Sequence, residues 1–117
     1  MDEKTRDHKI ATLLGFAQKA GKLVSGDDMV TAAAKKGKIR LYVVACDVGE
    51  NTKKEFLRMV EKTPIPWGIW GDKVRLGYVI GKAPRALVGV TEDNFAKALQ
   101  PWLEGWNQGI KEEWLNG

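Results

Sequence analysis

A chain of 117 residues, 44% of them hydrophobic and with a net charge of +4, is large enough for one globular domain with a real core. It holds no apolar run near the roughly 18–20 residues that span a bilayer. Its lone cysteine, Cys46, excludes an internal disulfide and favours a reducing compartment. The charged start MDEKTRDHKI has no signal-peptide character, so a cytoplasmic protein is expected.

Residues 1–8 are charged and expected to fray. From Lys9, the positions Ile10, Leu13, Leu14 and Ala17 recur at the spacing of an amphipathic helix, and Gly21 stops it. Lys22-Leu23-Val24 reads as a short strand. Ser25 then caps a second helix with Asp27 and Asp28 in its first turn, where the helix dipole favours anions. That helix runs through Met29, Val30 and Ala33 to Lys35-Lys36, and Gly37 ends it.

Ile39–Val48, IRLYVVACDV, is the segment around which the chain is organised. Leu41 to Ala45 are apolar without alternation, which calls for a strand covered on both faces. Each large aliphatic side chain buried there is worth roughly 1.5–3 kcal/mol. Thr52-Lys53-Lys54-Glu55 reads as a capping box opening a third helix, with Phe56, Leu57 and Val60 on its apolar face and Pro64 and Pro66 past its end. Trp67–Trp70 is a short strand. Gly71-Asp72 open a helix carrying Val74, Leu76, Val79 and Ile80; residues 81–85 form a loop; Ala86–Val90 is the last strand; and Thr91 caps a helix with Phe95, Ala98 and Leu99 on one face. The alternation predicts an α/β fold, a three-layer α/β/α sandwich with a mixed sheet of about four strands.

Catalytic chemistry finds little support. His8 is the only histidine and Cys46 the only cysteine, so a His/Cys metal cluster is excluded, and neither GxxxxGK[ST] nor GxGxxG occurs. No cofactor is expected. Asp47, at the carboxyl end of the central strand, lies where open α/β sheets bind ligands; it reads as a phosphate acceptor or metal ligand, or, more simply, as a turn aspartate bonding local backbone. Cys46 reads as a small buried residue.

Residues 1–100 carry 18 lysines and arginines against 12 aspartates and glutamates. A basic body favours an anionic partner, and nucleic acid is the commonest for a small cytoplasmic domain. The second helix presents free N–H groups beside Gly26. Lys19 and Lys22 precede it, Lys35, Lys36, Lys38 and Arg40 follow it, and Lys53, Lys82 and Arg85 fall near the strand ends of an α/β fold. Backbone donors with lysines suit phosphates and base edges; a solvated basic surface is the alternative.

Three ordered motifs, LLGFAQKAGKLVSGDD at 13–28, KKGKIRLYVVACDVGENTKKEF at 35–56 and RLGYVIGKAPRALVGVTEDNFAKAL at 75–99, resemble the kink-turn-binding ribosomal protein family. Archaeal ribosomal protein L-seven-Ae and eukaryotic L-thirty-e belong to it, and the likeness is greatest to its small stand-alone bacterial members. The resemblance implies the same sandwich, no enzymatic activity, and structured RNA, ribosomal RNA included, as ligand. It places the RNA site at the start of the second helix, with the family glycine on Gly26, asparagine on Asp28, glutamate on Met29 and lysine on Ala32. Only the glycine is kept. The strand-end motif falls on Ala45, Cys46 and Asp47, and the apolar loop that packs on the RNA bulge is replaced by Lys82, Ala83, Pro84 and Arg85. With the basic residues named above, the expected contact set is Lys22, Gly26, Asp27, Asp28, Met29, Ala32, Asp47, Lys53, Lys82 and Arg85. Aspartate lacks the amide donors that read sheared G·A pairs and repels phosphate, and methionine is a poor acceptor. Bidentate base contacts are worth about 1–3 kcal/mol each, so standard kink-turn affinity is expected to be weak. A protein-interaction adaptor that keeps the fold without the RNA site is the alternative.

Residues 101–117 lie beyond the family core and are expected to form a helical extension of the 1–100 domain. Trp102, Trp106, Ile110 and Trp114 fall at i, i+4, i+8 and i+12, a stripe on one side of a helix. It packs back on the body, or serves a partner or self-association surface, aromatics being enriched in interface cores, or stacks on RNA; Glu104, Glu112 and Glu113 against Lys111 oppose the last.

Overall fold

The central strand dictates the layers. Leu41, Val43 and Ala45 enter one apolar cluster and Tyr42 and Val44 the other, so both faces of the sheet are covered, as the missing alternation requires. The computed structural model describes residues 2–116. In chain order it contains α1 (Glu3–Lys19), β1 (Leu23–Ser25), α2 (Asp27–Lys35), β2 (Leu41–Val44), α3 (Glu50–Lys62), β3 (Trp67–Ile69), α4 (Lys73–Val79), β4 (Leu87–Val90), α5 (Asp93–Trp106) and α6 (Ile110–Asn116). The sheet order is β1-β4-β2-β3. β4 runs antiparallel to both β1 and β2, with Val90 opposite Leu23 and Leu41, and β3 runs parallel to β2, with Ile69 opposite Val44. Ile10, Leu14, Leu76, Leu99 and Leu103 of α1, α4 and α5 fill one face; Val30 and Phe56 of α2 and α3 fill the other. This is the expected α/β/α sandwich with a mixed four-stranded sheet.

Several predicted element starts shift, each for a local reason. The fraying expected of residues 1–8 gives way to helix from Glu3, because Asp2 caps α1 by accepting from the Thr5 N–H at 2.8 Å. Asp7 is then held by Trp70 Nε1 at 3.1 Å and Arg75 Nη2 at 2.6 Å. Gly26, not Ser25, is the cap of α2. α3 starts at Glu50, ahead of the predicted capping box, and the Thr52 hydroxyl donates instead to Asp27 Oδ2 at 2.8 Å. α5 is capped by Glu92 rather than Thr91; its carboxylate accepts from the N–H groups of Asn94 and Phe95, both at 3.0 Å.

The boundary expected at residue 100 falls inside α5. Pro101 sits in that helix on its exposed side, where water can satisfy the carbonyl that proline leaves unpaired. The tryptophan stripe is not continuous, because Asn107 ends α5 and Gly109, at φ 86°, reverses the chain. Trp102 and Trp106 pack against the α1–α5 cluster. Trp114, on α6, reaches the opposite face of the sheet, 6.4 Å from the Phe56 ring and 5.6 Å from that of Trp67. Lys53 and Lys111 each lie 4.4 Å from an indole centroid, of Trp114 and Trp67 respectively.

Candidate nucleic-acid interface

At one end of the sheet the start of α2, the turn after β3 and the loop before β4 enclose a cleft. Its walls are Ser25, Gly26, Asp28 and Met29 on one side and Lys73, Pro84 and Arg85 on the other. Gly26 shapes it. At φ 92° and ψ 151° it occupies a conformation that L side chains rarely adopt, and its N–H donates to the Leu87 carbonyl at 2.9 Å. No side chain caps α2, so the N–H groups of its first turn lack side-chain partners, and the carboxylates of Asp27 and Asp28 line the cleft beside them. Asp28, Met29 and Ala32 are exposed and share one face, Ala32 lying one turn beyond the others.

The opposite wall is braced by backbone bonds. Asp47 Oδ1 accepts from the Lys73 N–H at 2.8 Å, and the Lys73 carbonyl accepts from the Arg85 N–H at 3.0 Å. Asp47 thus fixes the start of α4 through a bond to a residue 26 positions away, rather than bonding the backbone of its own turn. Among the described residues, no group of three or more His, Cys, Asp and Glu side chains is placed to hold a metal. Arg85 Nε donates to Ser25 Oγ at 3.2 Å, and Nη1 donates to the carbonyls of Ala83 and Pro84 at 3.1 and 3.2 Å. Its guanidinium therefore ties the loop to the end of β1, with Nη2 unpaired among the described residues.

Underneath, the loop rests on bare helix backbone. A Cβ on Gly77 would lie 2.7 Å from the Ala83 carbonyl carbon and 2.9 Å from Pro84 Cα, so only glycine allows this approach.

The expected contact residues do not all meet here. Gly26, Asp27, Asp28, Met29 and Arg85 line the cleft, Ala32 continues the α2 face, and Lys82 is exposed on the adjoining loop. Asp27 is partly committed to Thr52. Lys22 lies at the other end of β1, where its carbonyl accepts from Thr91. Lys53 is drawn away by the C-terminal helix: its ammonium donates to the Trp114 carbonyl. Lys73 is the wall residue that the sequence does not single out; its position follows from β2 and β3 being parallel neighbours, whose carboxyl-end turns must adjoin. Cys46, expected to be buried, is exposed. Partial desolvation, together with the carboxylates of Asp47 and Asp72, pushes its thiol pKa up, so it is no activated nucleophile.

Residues 8–100 match the model of the Ribosomal protein L7Ae/L30e/S12e/Gadd45 family. The chain belongs to this family. Among its relatives is the RNA-binding protein YlxQ of Enterococcus faecium, 32% identical over 105 residues that cover 90% of this chain and all of that one. The RNA-binding protein YlxQ of Bacillus subtilis (strain 168) is 33% identical over 92 residues, 79% of this chain and 92% of its own. A protein of unknown function from Bacillus halodurans C superposes with a TM-score of 0.78 at 32% identity, covering 82% of this chain and 97% of that one. The Giardia lamblia 15.5kD RNA binding protein shares the fold at a TM-score of 0.73 and 15% identity, over 91% of this chain and 92% of its own.

Proposed function

We propose that this protein is a non-enzymatic binder of structured RNA that uses the cleft at the start of α2 and has little preference for a standard kink-turn. One observation carries the reading. The uncapped start of α2 keeps its positive-φ Gly26 and faces Lys73 and Arg85, while the positions that would read G·A pairs hold Asp28, Met29 and Ala32. Backbone donors and cations recognise the phosphate path without regard to sequence, and the side chains for bidentate base recognition are missing. The relatives named as RNA-binding proteins support the ligand class. Ribosomal RNA is the first target to try, and a place in translation follows if it binds.

The protein-interaction alternative rests on the tryptophan tail. Trp102, Trp106 and Trp114 all pack on the body, which leaves Ile110 and Leu115 as the exposed apolar residues of the last helix. Electrophoretic titration of a kink-turn RNA against the same RNA with its G·A pairs replaced tests the proposal. Binding of both with similar, modest affinity is expected. Nanomolar binding that depends on the G·A pairs overturns the specificity claim, and binding of neither overturns the RNA reading.

A further inference from the structure

The loop at 81–85 separates the cleft just described from a second one. This second groove runs between α1 and α4 and is lined by His8, Thr12, Gln18, Lys19 and Tyr78, with Gly81 at the loop end. Its floor is shallow because Gly15 brings α1 close to α4: a Cβ there would lie 3.2 Å from the Val79 carbonyl oxygen. Tyr78 is 80% exposed, the most of any large hydrophobic residue among those described.

The geometry of α4 explains the placement. Leu76 and Ile80 face the core, Lys73 and Gly77 face the loop at 81–85, and Arg75 and Val79 face α1. Val74 and Tyr78, one turn apart, are left on the outer surface, Val74 at 67% exposure. Burial does not account for a tyrosine so open to water. Arg85 lines the first cleft, Lys82 is exposed on the loop that separates the two, and Lys19 lines the groove. Cations thus continue from one cleft over the loop into the other.

We infer that RNA held at the α2 cleft extends over the loop into the α1–α4 groove, where an unpaired base stacks on Tyr78. This rests on the RNA-binding reading and adds a second subsite to it. An exposed aromatic ring beside lysines is the arrangement that takes single-stranded or bulged nucleotides, since every base has a face to stack. The hydroxyl of Thr12 and the amide of Gln18 are the neighbouring groups that can bond a base edge. Such a subsite compensates for the poor base-reading chemistry of Asp28 and Met29: it selects unpaired nucleotides rather than G·A pairs.

The test is fluorescence titration of two labelled RNAs of matched length: a fully paired duplex, and two stems joined by a few unpaired nucleotides on one strand. Tyr78→Ala should weaken binding of the bulged RNA by about tenfold and leave the duplex within about twofold. Tyr78→Phe should retain wild-type affinity for both. Ultraviolet cross-linking should join the unpaired nucleotides to the peptide that contains Tyr78. Lys73→Ala with Lys82→Ala should weaken both RNAs. If that double variant does so while Tyr78→Ala changes neither, the cleft reading stands and the second subsite is wrong. Equal losses on both RNAs with Tyr78→Ala also overturn the subsite, and wild-type binding of neither RNA overturns both.

Discussion

Asn107 pairs with the backbone of Ile69 as a neighbouring strand would. The Ile69 N–H donates to Asn107 Oδ1 at 2.7 Å, and Asn107 Nδ2 donates to the Ile69 carbonyl at 2.6 Å. β3 is an edge strand, and its outward amide and carbonyl would otherwise invite pairing with another chain. Asn107 is the one buried polar residue among those described, and both ends of its amide are used.

Asn107→Ala leaves two buried backbone groups without partners, each worth about 1–3 kcal/mol. The variant should lose at least about 2 kcal/mol in denaturant unfolding. Asn107→Asp should cost nearly as much, because a carboxylate oxygen then faces the Ile69 carbonyl. RNA affinity of the folded variants should be unchanged, since Asn107 is not among the residues that line the cleft. A variant as stable as the parent would show that water replaces the amide.

Gly77→Ala separates helix propensity from loop packing. Propensity alone favours alanine by about 1 kcal/mol. The added methyl, however, meets the backbone of Ala83 and Pro84, and overpacking of this kind costs about 1–3 kcal/mol. The variant should be less stable by calorimetry, and below its melting temperature it should bind RNA more weakly, because the displaced loop carries Lys82 and Arg85. Stabilisation would show that the loop can move without cost.

Glu92 makes stability depend on pH. Its pKa is lowered by the backbone N–H groups of Phe95 and Asn94, with a further contribution from the charge of Lys22. A carboxylate depressed in the folded state stabilises fully above the ordinary glutamate pKa, and that stability is lost as pH falls through the folded value. Melting temperatures of the wild type and Glu92→Gln should therefore differ at neutral pH and converge in acid. A constant difference across that range would assign the effect to shape rather than charge.

Restoring the family's pattern on α2, with Asp28→Asn, Met29→Glu and Ala32→Lys together, should raise kink-turn affinity. Each recovered bidentate base contact is worth about 1–3 kcal/mol. All three positions are exposed, so folding should tolerate the change. No gain in a kink-turn titration would show that the loop at 81–85 is what limits recognition.

The sandwich is legible in the sequence because its signals are local. The unbroken apolar run at Leu41–Ala45 announces a strand buried on both faces, and Gly21 and Gly37, at φ 71° and 69°, mark the turns that end the first two helices. Helix starts are less legible, since the same side chain can cap its own helix or bond elsewhere. Thr52 bonds Asp27, 25 residues away, and nothing in TKKE forbids it. The tail misleads for a related reason: the spacing of Trp102, Trp106 and Trp114 assumes one helix, and the reversal at Asn107–Gly109 is favoured by a tertiary bond to Ile69. At the site, Gly26 and Arg85 can be placed from sequence, whereas Lys73 requires knowing that β3 lies beside β2, and Lys53 requires knowing where α6 folds back.

The salt dependence of RNA binding reports which cations meet the phosphates. Each phosphate contact removed should reduce the slope of log affinity against log salt by about one. Lys73→Ala with Lys82→Ala should therefore reduce the wild-type slope by about two. Lys35→Ala with Lys36→Ala, at the far end of the same helix, should leave it nearly unchanged. A slope insensitive to the first pair, or a larger loss from the second, would contradict an RNA interface at the cleft between α2 and the loop at 81–85.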